Sequence, residues 1–199
     1  MSLSKIDICN MAILRMGGNK LKHIDSLEEN KEEARACRVL YPQTIKRMLR
    51  QYEFGFAQRQ EILALLRQEK DGSRAYTWPS GALRIWRVTP VGWVNPRSES
   101  LPFIIAAGPN RIREIRCSRE QVQAHFSVTI EDPGQMDVLF TEALAWAMAA
   151  ELCHAVADDP KRMQFLQEQA KIALEEAKTA DANEYAFEIG PGAYVEARL

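Results

Sequence analysis

The chain has 199 residues, a formal net charge of −1, 46% apolar residues and 27% charged residues. These proportions are typical of an ordinary globular protein and exclude a disordered, collagen-like or disulfide-dense chain. A globular chain of this length buries roughly 70% of the surface that it exposes when unfolded, so it needs no metal or disulfide to fold.

The first part of the chain is predicted to form two helices. Apolar residues recur at helical spacing from 4 to 16, and Ser4 precedes them as a plausible N-cap. A second helix is expected from about 28 to 52. The sequence SLEE at 26–29 matches a capping box before it, and Pro42 inside it predicts a kink.

Three aromatic residues mark the point where the second helix ends. Tyr52, Phe54 and Phe56 occupy alternate positions, and Gly55 interrupts any helix there. We predict that these three side chains form a structural junction, which plugs the end of the helical bundle and fixes the angle at which the next region projects.

Strand-like signals dominate the segment that follows. Alternating apolar residues occur in RIREIRC and AHFSVTI, and Gly-containing turns occur at KDGS and GPN. We therefore expect a small antiparallel β region between the second and third helices.

The remaining chain is again helical until its last residues. An Ala-rich apolar stretch that starts near Asp132 and Pro133 predicts a buried central helix, and Asp159 and Pro160 open a final amphipathic helix. The predicted fold class is therefore mainly α within α+β, an antiparallel bundle of about four helices carrying a small inserted β region. The expected division is a bundle of residues 1–55 and 131–182, a β lobe of residues 56–130, and an extended C-terminal tail of residues 183–199.

Charge is distributed unevenly along the chain. Residues 84–119 contain seven Arg and two Glu, a local net charge of +5, whereas residues 131–199 contain fourteen acidic and five basic residues, a local net charge of −9. Such a chain is suited to contacts with copies of itself, or to presenting a basic face to a polyanion. The candidate DNA-channel or subunit-contact residues are Arg84, Arg87, Arg111, Arg113 and Arg116.

No pattern in the sequence indicates catalysis, a cofactor or a metal site. Cys153 and His154 are adjacent and would point about 100° apart on a helix, which is poor geometry for binding one ion. The four cysteines lack CxxC spacing, and no apolar run reaches the roughly 20 residues that a membrane span needs. We expect a protein without enzymatic activity that is made in the cytoplasm and does not contact membranes.

The order of these segments resembles the tail tubular protein A family, the head-to-tail adaptors or gatekeepers of short-tailed bacteriophages. The resemblance rests on ARACRVLYPQTIKRMLRQYEFGFAQRQEILAL, then WPSGALRIWRV, then FSVTIEDPGQMDVLFTEALAWAMAAELCHAV, and it extends from Ile6 to about Asn183. It implies a structural virion protein at the head-tail junction, commonly twelve copies in a ring, which binds the phage portal protein and extends the channel for genomic DNA.

The same resemblance implies a platform for the tail nozzle protein. Adaptors of this kind are often monomeric before they meet the portal, and the sequence leaves the state of the free chain open. The C-terminal segment of such adaptors tends to reach into the portal. On that basis, the candidate portal-binding residues of the tail are Tyr185, Phe187, Ile189 and Tyr194. No catalytic residues are implied.

Two other classes of function stay open at this point. The Arg-rich stretch 84–119 could make the chain a nucleic-acid-binding module, which would bind DNA as a monomer and in a salt-sensitive way. The chain could also be an enzyme with an unrecognised site, which a buried cluster of His154 with acidic neighbours would favour.

Overall fold

A computed structural model describes residues 3–17, 23–92, 100–157 and 159–184 of the chain. Four α-helices pack together in these ranges. We number them α1 to α4 in chain order: Lys5–Met16, Glu32–Leu49, Val138–Leu152 and Pro160–Glu184. Together they form the bundle, in which α3 is central because its packing against each of the other three helices is the most extensive.

The start of α1 is as predicted, whereas α2 begins later than the sequence suggested. Ser4 caps α1, since its side chain accepts a hydrogen bond from Asp7 N while Asp7 reaches back. The SLEE segment instead folds into a separate turn, in which the Glu29 carboxylate accepts a bond of 2.9 Å from Ser26 N. The helix then starts at Glu32 and continues through Pro42.

Helix α3 also starts after its expected position. Asp132 caps a short 3-10 turn, Pro133–Gln135, and Asp137 is the N-cap of the helix itself. The segment Val138–Val156 is apolar and long enough to cross a membrane by length and composition, but 61% of it is buried inside the protein. Burial within a bundle accounts for this composition, because a helix that is surrounded by protein is apolar on most sides.

A π-helical turn, Cys153–Ala157, ends α3 and leads into α4. Asp159 caps α4 as predicted, since its carboxylate accepts a hydrogen bond of 3.0 Å from Arg162 N. The buried stripe of α4 includes Leu166, Leu174 and Ala177, and it faces α3.

Between α2 and α3, the described part of the chain forms seven β-strands. We number them β1 to β7 in chain order: Gln58–Ile62, Leu65–Gln68, Arg74–Thr77, Ala82–Pro90, Ile104–Ala107, Arg113–Cys117 and Val122–Val128. They form two antiparallel sheets. The three-stranded sheet has the order β1-β7-β4, and the four-stranded sheet has the order β2-β3-β6-β5. We call these strands and their connections the β lobe.

The predicted fold class is wrong, because it underestimates the size of the β region. A mainly α fold with a small β region was expected, whereas the protein is an α+β fold with two sheets of three and four strands. The β region does lie between α2 and α3, as predicted. Its size was missed because two of the strands give little signal in the sequence: β1 is almost entirely polar, and β3 has only four residues.

Two hydrophobic clusters organise the molecule. The bundle cluster draws on residues 8–57 and 130–177, and the lobe cluster draws on residues 63–126. Each cluster contains fully buried aliphatic side chains, such as Leu144 in the bundle and Ile115 in the lobe. The connection between the two clusters is therefore the feature that sets how the lobe projects from the bundle.

Candidate functional site

The junction between bundle and lobe is built around Phe54. This side chain is 1% exposed, and its ring lies 4.9 Å from Tyr52, 5.6 Å from Phe56 and 4.8 Å from Phe140, measured between centroids. Phe56 also contacts Phe140 at 5.0 Å. The structure thus brings the three predicted aromatic residues together and adds a fourth, Phe140 of α3, which anchors them to the bundle core.

Polar contacts surround this aromatic cluster. Arg50 donates to Leu83 O at 3.0 Å, and Arg84 donates back to Arg50 O at 2.8 Å. Arg87 forms an ion pair with Glu53 in which both side chains are largely buried. Since Arg50 and Glu53 follow α2 whereas Leu83, Arg84 and Arg87 lie on β4, these contacts fasten the lobe directly to the end of α2.

A contact from the end of the last helix completes the junction. The carboxylate of Asp181 on α4 accepts a hydrogen bond of 2.7 Å from Gly55 N. Asp181 is 7% exposed. The end of α4 is therefore held beside Phe54 and Phe56.

The Arg residues that were predicted to line a DNA channel are divided between the two sheets. Arg84 and Arg87 lie on the three-stranded sheet, whereas Arg113 and Arg116 lie on the four-stranded sheet. Arg84 stacks over Trp86, with its guanidinium carbon 4.0 Å from the ring centroid, and Arg113 lies over Trp78 at 5.4 Å. Arg111 is exposed in the connection before β6.

Two of these five arginines are neutralised by carboxylates, Arg87 by Glu53 and Arg116 by Glu114. Glu114 is 1% exposed and also accepts two bonds of 2.8 Å from Arg67. The Arg67 guanidinium, aided by Arg116, lowers the pKa of Glu114 to about 2, although burial raises it. Within the described residues, Arg111 and Arg113 have no carboxylate partner.

A buried polar network joins β4 and β7 of the three-stranded sheet. His125 Nε2 is 3.1 Å from Thr89 Oγ1, and Gln123 donates to the same hydroxyl at 3.0 Å. Burial, with a smaller effect of Arg87, lowers the pKa of His125. The ring is therefore neutral near pH 7 and serves to satisfy buried hydrogen-bonding groups.

The groups that would favour an enzyme or a metal site are not assembled in the part of the chain that the structure describes. His154 is exposed, so the buried His154 cluster that would indicate a catalytic site is not observed. In the same ranges, no three His, Cys, Asp or Glu side chains are placed to hold a metal ion. Cys9, Cys37, Cys117 and Cys153 are all free and buried.

The tail residues Tyr185, Phe187, Ile189 and Tyr194 lie outside the described residues, so their role as portal anchors stays a prediction. Sequence reasoning missed a different surface, the two edges of the four-stranded sheet. Large aliphatic side chains are exposed at both edges, among them Leu65 at 55% and Ile105 at 52%. The sequence EILALL marks one edge as apolar, but only the sheet order shows that β2 is the outermost strand there among the described residues.

Comparison of the chain with models of protein families and with curated proteins gave no match. The resemblance to the tail tubular protein A family therefore stands on the sequence pattern alone.

Proposed function

We propose that this protein is a structural head-to-tail adaptor of a phage or prophage virion. In this proposal, copies of the chain form a ring beneath the portal protein, extend the DNA channel and offer a platform to the tail nozzle protein. The chain acts by assembly, without catalysis and without a cofactor.

The observation that carries the proposal is the pair of exposed apolar edges on one sheet of the β lobe. Monomeric proteins usually protect the edge strands of their sheets against pairing with other chains. Exposed clusters of large aliphatic side chains mark surfaces that another protein covers. Two such edges would allow one subunit to contact a neighbouring subunit on each side.

The junction supports the same proposal. Aromatic packing around Phe54, the Arg87 to Glu53 ion pair and the Asp181 contact hold the lobe at a fixed angle to the bundle. A ring closes only if every subunit repeats the same rotation, so a fixed angle between its two parts favours closure.

A mixing experiment tests the proposal. The full chain and a truncated chain ending at Ala182 are each combined with the portal protein encoded nearest to the gene, and the masses are measured by native mass spectrometry. We expect a large ring complex only when portal and full chain are both present. A well-folded sample of full chain that forms no complex with portal would contradict the proposal.

The nucleic-acid-binding module is the second candidate. The exposed Arg111 and the exposed Arg113, which lies over the Trp78 ring, favour it. Titration of the free chain with double-stranded DNA at two salt concentrations separates the candidates. Submicromolar binding that weakens steeply with salt would indicate the module. An adaptor is expected to bind free DNA weakly, because two of the five candidate arginines are already neutralised within the lobe.

A further inference from the structure

Two buried cysteines meet between the first two helices of the bundle. Cys9 lies on α1 and Cys37 lies on α2, and both side chains are 0% exposed. The thiol of Cys9 donates a hydrogen bond to the sulfur of Cys37. The two sulfur atoms are therefore neighbours across the contact between α1 and α2, although 28 positions separate them in the sequence.

Tyr41 places Cys9 on the same face of α2. It follows Cys37 by one helical turn, so the two side chains are neighbours on the helix, and it is 5% exposed. Burial, and after it the nearby Cys9, raise the pKa of the Tyr41 hydroxyl. Cys9 thus packs against a face of α2 that Cys37 and Tyr41 share.

The other two cysteines are engaged elsewhere in the fold. Cys117 belongs to the lobe cluster, which is separate from the bundle cluster that contains Cys9 and Cys37. Cys153 follows α3, and its thiol donates a hydrogen bond of 3.6 Å to Asp159 O. Cys9 and Cys37 are thus the two thiols that the fold presents to each other, and Cys117 and Cys153 serve as internal controls.

The hydrogen bond makes the two thiols unequal. It lowers the pKa of Cys37, although burial raises it, because the bond stabilises the Cys37 thiolate. The same bond, together with burial, raises the pKa of Cys9, which keeps its proton in order to donate it. Cys37 is therefore the thiol that ionises first, and the thiolate is the form that reacts with oxidants. A nucleophilic thiol beside a second thiol is the arrangement from which a disulfide forms.

We propose that Cys9 and Cys37 form a reversible disulfide that joins α1 to α2 when the protein meets a peroxide. This inference goes beyond the proposed function and does not depend on it. The Cys37 thiolate attacks a peroxide oxygen, which forms an S–O bond, breaks the O–O bond and releases hydroxide. The hydroxide takes up the proton that Cys37 lost. The Cys9 sulfur then attacks the sulfenic acid on Cys37, which forms the S–S bond, breaks the S–O bond and releases water. Overall, the two thiols give two electrons and two protons to hydrogen peroxide, which becomes two molecules of water.

Burial of both thiols sets the conditions for this reaction. A peroxide reaches them only when α1 opens locally, and α1 packs mainly against α3 and only narrowly against α2. In a reducing compartment the thiols persist as the structure shows them, whereas in an oxidising medium the disulfide accumulates. The bond closes a long loop of the chain, and such a cross-link stabilises the fold because it restricts the unfolded state.

Oxidation of the folded, full-length chain tests the inference. The reduced protein is treated with hydrogen peroxide, alkylated in denaturant and digested with trypsin without reduction. Trypsin releases Cys9 in peptide 6–15 and Cys37 in peptide 36–38. We expect the four free thiols to fall to two, these two peptides to be joined, and dithiothreitol to separate them. The same treatment in urea is the control, in which pairing loses its selectivity because unfolding removes the contact between the two thiols.

The melting temperature gives a second measurement. The oxidised protein should melt roughly 4–16 °C above the reduced protein, and dithiothreitol should reverse the increase. Cys117→Ala is the matched control, because it removes a buried thiol and leaves the pair intact, so it should keep both the joined peptides and the increase. Cys37→Ala should lose both.

Three results would overturn the inference, and all of them are measured on the unmodified chain. Four free thiols after peroxide treatment of the folded protein would show that the pair does not react. Addition of oxygen to Cys37 without joined peptides would show that Cys9 does not attack the sulfenic acid. Joined peptides that contain Cys117 or Cys153, formed in the folded protein at the same yield, would show that the pairing is not selective.

Discussion

Replacement of Phe54 by Ala is expected to destabilise the whole protein. The side chain is 1% exposed and its ring contacts three other aromatic rings, so truncation leaves a cavity between bundle and lobe. Removal of a buried Phe side chain costs about 3–5 kcal/mol. In a chain of about 200 residues this lowers the melting temperature by roughly 6–20 °C. Such a loss is a large part of the 5–15 kcal/mol by which ordinary domains are stable.

The assay is urea unfolding followed by tryptophan fluorescence, with thermal unfolding by circular dichroism as a second measurement. Phe165→Ala is the matched control, because Phe165 lies on α4 and is 47% exposed. The control should change the free energy of unfolding by less than about 1 kcal/mol, as surface substitutions usually do. If Phe54→Ala is no more destabilising than Phe165→Ala, and assembly is unchanged, the junction does not have the role assigned to it here.

Three further predictions follow from the polar groups of the lobe. A double-mutant cycle with Arg87→Gln and Glu53→Gln should give a coupling energy of about 1–3 kcal/mol by urea unfolding, and additive effects would contradict the fastening role of this ion pair. Because the pKa of Glu114 is lowered from 4.5 to about 2, its charge stabilises the fold above pH 4.5, and this contribution is lost as the pH falls towards 2. Thermal unfolding at several pH values should therefore show a smaller acid loss in Glu114→Gln than in the unmodified protein, and equal losses would refute the assignment. The pKa of His125 is lowered from 6.5, so the neutral ring stabilises the fold fully above pH 6.5, and this contribution decreases as the pH falls below that value. His125→Gln should therefore make the free energy of unfolding less dependent on pH in this range. An unchanged pH profile would contradict the role of His125.

Local signals in the sequence predicted the parts of the fold that local chemistry decides. Ser4 and Asp159 cap their helices as expected, because a capping side chain satisfies backbone groups only two or three residues away. The Phe54 cluster was found from alternation and Gly55, but its anchor Phe140 was not, since the contact joins residues far apart in sequence.

The sheets and the candidate surfaces depend on such distant partners. β3 was not predicted, because Arg74–Thr77 becomes a strand only between β2 and β6. The charge partners within the Arg-rich stretch also lie far away in the sequence. Arg87 is neutralised by a glutamate 34 residues away, and Glu114 binds an arginine 47 residues away. Exposure of Leu65 and Ile105 follows from their places at the two sheet edges, which no periodicity in the sequence reveals.

Electron cryomicroscopy of the full chain mixed with the portal protein tests the adaptor proposal most directly. We expect a second ring of density, coaxial with the portal ring and built from copies of this chain. Bare portal rings beside free, folded copies of the chain would contradict it.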